Sequence, residues 1–416
     1  MCISDIYELY LSSNGITTDT RKITDNCIFL SLKGERFNGN KFAEKALKMG
    51  AAYAIVDEAE FDTHQNTILV DNALYTLQEL ATYHRRELGI EIISLTGSNG
   101  KTTTKELINI ILSKKYNTTA TIGNLNNHIG VPLTLLALSH TTEIGIVEMG
   151  ANHLKEIELL ATITQPDYGY ITNFGKAHLE GFGGIEGVIQ GKSELYTYLE
   201  KNHKKAFINT ADPIQVEFSQ QLDAIFFGEK TSIVKMDPFL VVKYAGLEIH
   251  TNLVGEYNLD NISAAIAIGE YFNIAAKDIK VALESYKPTN NRSQIIKKSN
   301  ATIILDAYNA NPTSMTAALS NFAKNPAKDK IIILGDMFEL GATSEPEHQA
   351  ILDLAESLGF QEIHLIGEHF FKTKASKSNL HSSFEAFKNS FHSYPSTYLI
   401  KGSRGMALER TLDLFD

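Results

Sequence analysis

Residues Thr96–Thr103 read TGSNGKTT, types and spacing suited to holding a triphosphate. Gly97 and Gly100 would let the backbone curl so that the N–H groups of Ser98 and Asn99 face the phosphates. Lys101 would reach the β and γ phosphates, and the Thr102 hydroxyl would ligate Mg²⁺, with Thr103 beside it. The start of a following helix would add partial positive charge at the same point. The general pattern G-x-x-x-x-G-K-[ST] wants glycine at position 95, where this chain has Leu95. The bland alternative is a glycine-rich turn with a surface lysine. Such a loop serves switches, motors and kinases alike, so it leaves the reaction open.

Three further residues fall at the ends of apolar runs. Glu148 ends IGIVEM, His178 lies in TNFGKAHLEGFG, and Lys192 lies in IEGVIQGKSEL. Taken singly they read as a cap partner, a loop histidine and a solvated lysine. Together, at successive strand ends beside a phosphate loop, they suggest a metal and anion site. Magnesium prefers hard oxygen ligands and takes few from protein. Glu148 fits that preference, whereas an ammonium at Lys192 would repel the metal.

These residues need a scaffold. Apolar runs at Ile90–Thr96, Ile144–Met149, Tyr168–Asn173 and Ala206–Asn209 alternate with helical stretches at Thr102–Lys115, Leu154–Ile163 and Ile185–Leu199. That rhythm predicts βαβ units around a mostly parallel sheet, with ligands at the carboxyl ends of the strands. Residues 225 to 254 read as a short β insertion, and Asn258–Phe272 as a closing helix. Upstream, runs at Cys27–Leu32, Ala52–Val56 and Thr67–Val70, with helices at Lys41–Met49 and Ala73–Leu88, predict a small α/β domain. Downstream, strands at Thr302–Asp306, Lys330–Leu334, Glu362–Ile366 and Thr397–Ile400 alternate with helices at Thr313–Ala323, Glu345–Leu358 and Arg404–Leu414. The α/β chain thus divides into 1–88, 89–287 and 288–416, with Tyr286–Asn291 as a hinge. Its 416 residues agree with about three domains.

The formal charge of −11 argues against a nucleic-acid partner, although an acidic chain can hold a local basic pocket. No run approaches the length of a membrane span, and the N-terminus lacks the pattern of a signal peptide. Two cysteines, Cys2 and Cys27, indicate neither a disulfide framework nor a zinc site. The expectation is a cytoplasmic protein without membrane insertion, working as a monomer.

TGSNGKTT, VEMGA at Val147–Ala151, TNFGKAHLEGFG, the GKSE lysine and GEYNLDNISAA at Gly255–Ala265 resemble the Mur ligases. LDAYNANPTSM at Leu305–Met315, LGDMFELG at Leu334–Gly341, KGSRGMALE at Lys401–Glu409 and GNLNNHIGVP at Gly123–Pro132 look most like the branch that adds D-alanyl-D-alanine. DTR at Asp19–Arg21 and the stretch LKGERFNGNKFAEKALKMGAAYAIV are similar to the family's uridine-nucleotide domain.

The resemblance covers nearly the whole chain. It implies a three-domain architecture: a UDP-binding domain, a central P-loop ATPase domain and a Rossmann-like C-terminal domain. It implies that ATP phosphorylates the terminal carboxylate of a UDP-N-acetylmuramoyl-tripeptide and that the amine of D-alanyl-D-alanine then attacks. Lys101, Glu148, His178 and Lys192 would be catalytic. Thr102, Glu148, His178 and Lys192 would serve Mg²⁺, with Lys192 carrying a CO₂-derived carbamate. Asn258 would meet the adenine, Arg292 the γ-phosphate, Asp306 the ribose, and Tyr308 would pack on the base. Asn291 stands where a glycine is common. Asp19, Thr20, Arg21, Asn126 and Asn127 would touch the UDP substrate. Asn309, Asn311, Asp336 and Glu339 would shape the dipeptide site. The alternatives are a tripeptide-forming or folylpolyglutamate-type ligase of the same superfamily, and a non-catalytic nucleotide-binding scaffold.

Overall fold

The computed structural model describes residues 1–289, 291–299 and 301–415. Three main sheets follow one another along the chain. The first runs Ile16–Thr17, Ile28–Leu30, Tyr53–Val56, Thr67–Leu69, all parallel. The helix Ala73–Leu88 starts where Asn72 accepts a hydrogen bond from Tyr75 N–H and ends at Gly89, φ 61°. It buries Leu77, Leu80 and Ala81. Its His84 donates from Nε2 to Leu138 O at 3.0 Å and accepts at Nδ1 from Tyr7 Oη at 3.1 Å. These bonds tie the N-terminal helix Ile3–Leu11, which sequence reading missed, to the second sheet's layer.

The second sheet carries six parallel strands in the order Asp223–Phe227, Lys205–Asn209, Tyr168–Ile171, Glu91–Thr96, Ile144–Glu148, Thr118–Ala120. Successive strands leave Glu91–Thr96 on opposite sides, so a crevice opens at its carboxyl end. Leu95 is fully buried in this strand. The phosphate loop therefore begins only at Gly97, and the missing glycine at 95 costs it nothing. The helix Lys101–Leu112 packs through Leu107, Ile108 and Ile111 against Asn258–Tyr271, whose Ala264 and Ala265 permit close approach.

The expected β insertion needs correction. Only Thr231–Met236, Leu240–Tyr244 and Leu247–His250 form the separate antiparallel meander. Asp223–Phe227 pairs parallel with Lys205–Asn209 and extends the main sheet.

The third sheet has the order Gln294–Lys298, Ala301–Asp306, Thr397–Lys401, Lys330–Gly335, Glu362–Ile366, Asn379–His381. Its first strand is antiparallel and the rest are parallel. Asp306, Lys401 and Gly335 thus end neighbouring strands. The expected helix at Arg404–Leu414 is instead two 3₁₀ segments, Arg404–Met406 and Leu408–Leu414, broken at Ala407, φ 48°. The expected hinge at 286–291 contains residue 290, which lies outside the described residues. Among the described residues no helix is long and apolar enough to cross a membrane.

Candidate functional site

The phosphate loop is held by its own backbone and by the neighbouring strand end. Gly97 has φ 138° and Gly100 has φ 82°. A Cβ on Gly97 would lie 2.0 Å from Thr172 Oγ1, and one on Gly100 would lie 2.4 Å from Asn261 Oδ1. No side chain fits either place. Ser98 N–H donates to Asn173 O at 3.0 Å, and Asn99 N–H to Asn173 Oδ1 at 3.1 Å. Thr172 Oγ1 donates to Asn99 O at 2.5 Å. Lys101 Nζ bonds back to Gly97 O at 2.5 Å and Ser98 O at 3.3 Å. Burial lowers the pKa of this ammonium, with Glu148 opposing the shift and Arg292 adding to it.

Beside the loop, Glu148 Oε1 accepts from Thr102 Oγ1 at 3.2 Å and from Asn126 Nδ2 at 2.9 Å. Its Oε2 is buried and has no hydrogen-bond partner among the described residues. The Thr102 hydroxyl and the Glu148 carboxylate, one oxygen of which has no partner among the described residues, match the hard ligands that Mg²⁺ takes. Lys192 is fully buried; its Nζ donates to Ala151 O at 3.0 Å and lies 5.0 Å from the centre of the Phe182 ring. Burial, reinforced by Lys101, holds its pKa well below the usual lysine range. The ammonium that would repel a metal is thereby disfavoured, and a neutral amine is the form that takes up CO₂.

Ala151 lines the large cavity, and Lys192 sits behind it. His178 stands in the left-handed region at φ 54° and pairs through Nδ1 with Glu339 Oε2, itself at φ 62°. That pairing lowers the Glu339 pKa.

The third sheet supplies the opposite wall. The Arg292 guanidinium lies 3.6 Å over the Tyr308 ring, and its Nε is buried without a partner among the described residues. Asn291 before it takes φ 57°, a conformation that glycine favours and asparagine tolerates. Asp306 accepts from Ser293 N–H at 3.1 Å and from Lys401 Nζ at 2.6 Å. Lys401 is buried and also reaches Asn309 O at 3.1 Å. Asn311 caps the helix Pro312–Ala323 and donates from Nδ2 to Asn99 Oδ1 at 2.8 Å, joining the third sheet to the phosphate loop.

These groups enclose a cavity of about 810 Å³. It is lined by Ser98–Thr103, Asn126, Asn127, Glu148, His178, Asn258, Arg292, Asp306, Tyr308, Asn309 and Asn311. A second cavity of about 270 Å³ adjoins it.

Other expected residues take partners within the protein. Asp336 lines neither cavity; it is buried, and its carboxylate accepts from the N–H groups of His369 at 3.0 Å and Phe370 at 2.9 Å. It caps the helix Glu368–Phe371 rather than facing a dipeptide. Asn258 has its amide tied to Val254 O at 2.8 Å and to Asn261 at 2.8 Å. Asp19 is paired with Arg21 at 2.8 Å; together with Thr20 they lie outside both cavities, whereas Asn126 is brought to Glu148. Asn173, Asn261 and Lys401 were missed as site residues, although each stands inside a motif that the sequence displays.

Three family descriptions match the chain in order: "Mur ligase family, catalytic domain" over residues 12–94, "Mur ligase middle domain" over 95–269, and "Mur ligase, glutamate ligase domain" over 291–411. The UDP-N-acetylmuramoyl-tripeptide–D-alanyl-D-alanine ligase of Bacillus subtilis is 39% identical over 81% of this chain and 76% of its own length. The enzyme of that name from Escherichia coli is 32% identical over 97% of this chain and 93% of its own. Among solved structures, the MurF ligase of Thermotoga maritima in complex with ADP superimposes with a TM-score of 0.85. It is 25% identical and covers 97% of each chain.

Proposed function

The chain belongs to the Mur ligase family, and we infer that it joins D-alanyl-D-alanine to a UDP-N-acetylmuramoyl-tripeptide, with ATP converted to ADP and phosphate. The product is the UDP-N-acetylmuramoyl-pentapeptide used in peptidoglycan synthesis. The observation that carries this reading is the single cavity on which the phosphate loop, Glu148 and the Arg292–Asp306–Tyr308 wall converge. We assign UDP-substrate binding to residues 1–88, ATP binding to 89–287 and the dipeptide side to 288–416.

The chemistry sets anion against anion. A substrate carboxylate oxygen attacks the γ-phosphorus, and the bond from that phosphorus to the ADP oxygen breaks. The dipeptide amine then attacks the acyl carbon, phosphate departs, and the amine loses its proton. Lys101 and Arg292 would screen the phosphates from the two faces of the cavity. The backbone of Ser98–Gly100 would cradle them. Asp306, braced by Lys401, would accept from the ribose hydroxyls, and Tyr308 would stack on the base.

Thr102 and Glu148 would hold Mg²⁺, with His178 and a carbamylated Lys192 as further ligands. The metal would supply charge neutralisation that side chains alone do not. The need for ATP is the reason for assigning the reaction to the cytoplasm.

Phosphate release by the purified chain tests the reading. It should require ATP, Mg²⁺, a UDP-N-acetylmuramoyl-tripeptide and D-alanyl-D-alanine together. Release that follows a single amino acid or glutamate in place of the dipeptide would overturn it.

A further inference from the structure

The cavity of about 270 Å³ shares His178, Tyr308, Asn309 and Asn311 with the nucleotide cavity, so the two meet along one wall. Beyond that wall its lining includes Ala177, Ala310, Phe338 and Arg404. On the ligase reading above, on which this inference rests, the incoming dipeptide is a zwitterion with opposite demands at its two ends. Its amine has to reach an acyl carbon within about 3–3.5 Å, which places that end at the shared wall. Its carboxylate takes no part in the reaction and lies at the far end, where a cationic hydrogen-bond donor would hold it.

Arg404 is the one arginine or lysine among the described lining residues of the small cavity. Its Nη1 donates to Glu409 Oε1 at 2.8 Å, which orients the guanidinium. Nε and Nη2 make no hydrogen bond among the described residues, and this planar fork matches a carboxylate bidentately. Two carboxylates stand nearby: Glu339 is paired with His178 and Glu409 with Arg404, whose side chain is 61% exposed and so open to a ligand. The remaining walls suit methyl groups. Ala177 and Ala310 are both buried, and a Cβ added at Gly405 would come within 2.8 Å of the Phe338 ring.

We propose that Arg404 binds the free α-carboxylate of the dipeptide and makes the enzyme selective for a C-terminal acid. Ala177, Ala310 and Phe338 enclose its two methyl groups.

The test is phosphate release by the full chain with D-alanyl-D-alanine and with its C-terminal amide. Wild type should show a lower KM for the acid. Arg404→Gln should raise the KM for the acid by about ten-fold or more and change that for the amide by less than about two-fold. Arg404→Lys, which keeps the charge and loses the fork, should give an intermediate ratio. Comparable melting temperatures exclude a folding defect, and the two variants serve as checks on each other.

An Arg404→Gln enzyme whose KM rises equally for acid and amide, or for neither, overturns the assignment while leaving the ligase reading in place. A wild-type chain inactive with both compounds overturns that reading and this one with it.

Discussion

The two walls of the large cavity are built differently. On the phosphate-loop side, each group is positioned by backbone geometry and by adjacent strands of one sheet. Gly97 and Gly100 have positive φ, Asn173 clamps the loop, and Thr102 meets Glu148 across neighbouring strand ends. On the opposite side, Asn311, and Glu339 in the adjoining cavity, bond to residues of the central segment, while Lys401 is held by Asp306 on the neighbouring strand of its own sheet. Asn311 reaches Asn99, Glu339 reaches His178, and Lys176 on the central side reaches Glu347 at 2.5 Å. The first wall can stay formed whatever the third sheet does. The bonds of Asn311 and Glu339 form only with the third sheet docked, which suits groups that complete the site after substrates bind.

If that contrast holds, the largest loss should come from the rigid wall. Lys101→Ala should lower kcat by about 10²–10³-fold or more, with the melting temperature nearly unchanged because the cost of burying the ammonium offsets its two hydrogen bonds to Gly97 O and Ser98 O. Near-normal turnover in a folded variant would sink the assignment.

Lys192 should come next, and its defect should be chemical rather than geometric. Lys192→Ala should lose about 10²-fold in kcat and regain part of it when a short carboxylic acid is added. Lys192→Arg should stay inactive, since positive charge is what the site rejects. The reverse pattern, an active arginine variant and no rescue, would rule out a carbamate.

The docked wall should be more forgiving. Asn311→Ser keeps a good helix cap but cannot span the 2.8 Å bond to Asn99. It should retain the wild-type melting temperature and lose about ten-fold in kcat/KM. Loss of stability with unchanged kinetics would mean that Asn311 serves the helix alone.

The smallest effect on catalysis should come from a group behind the docked wall. His364 lies under Phe387 and Phe391, with His381 Nε2 3.1 Å from its Nδ1 and Glu362 Oε1 3.0 Å from its Nε2. Burial, helped by His381, pushes its pKa down from 6.5 to about 4. The unfolded chain therefore binds a proton between those values that the folded chain refuses. This group's stabilisation is complete above pH 6.5 and falls as pH drops toward 4, by on the order of 3 kcal/mol in total. Melting temperatures followed across that range should slope less in His364→Phe than in wild type. Parallel slopes would refute the attribution.

Much of this was legible in the chain itself. The helix Ala73–Leu88 has an asparagine cap and a following glycine, and both ends stand where they were read. The phosphate loop, the strands around it and the alternation of the third sheet follow from local apolar runs and glycine chemistry. The expected insertion from 225 takes in the end of the strand Asp223–Phe227, because a β-like run does not say which neighbour it pairs with. The segment after Arg404 has helical composition, but the left-handed Ala407 breaks it. The N-terminal helix Ile3–Leu11, nine residues long, has no counterpart in the sequence reading, and it packs through Tyr7 on the helix carrying His84.

The site divides in the same way. Glycine at 97 and 100, lysine at 101 and a carboxylate ending the strand at Glu148 are fixed by short-range steric and dipolar preferences, which a sequence carries in full. Whether a given polar side chain faces a ligand or its own fold is decided elsewhere. Asp336 turned to cap a helix 34 residues away, while Asn311 crossed 212 residues to the phosphate loop. Only packing settles such pairings, because a buried polar group takes whichever partner the docked elements bring within bonding distance.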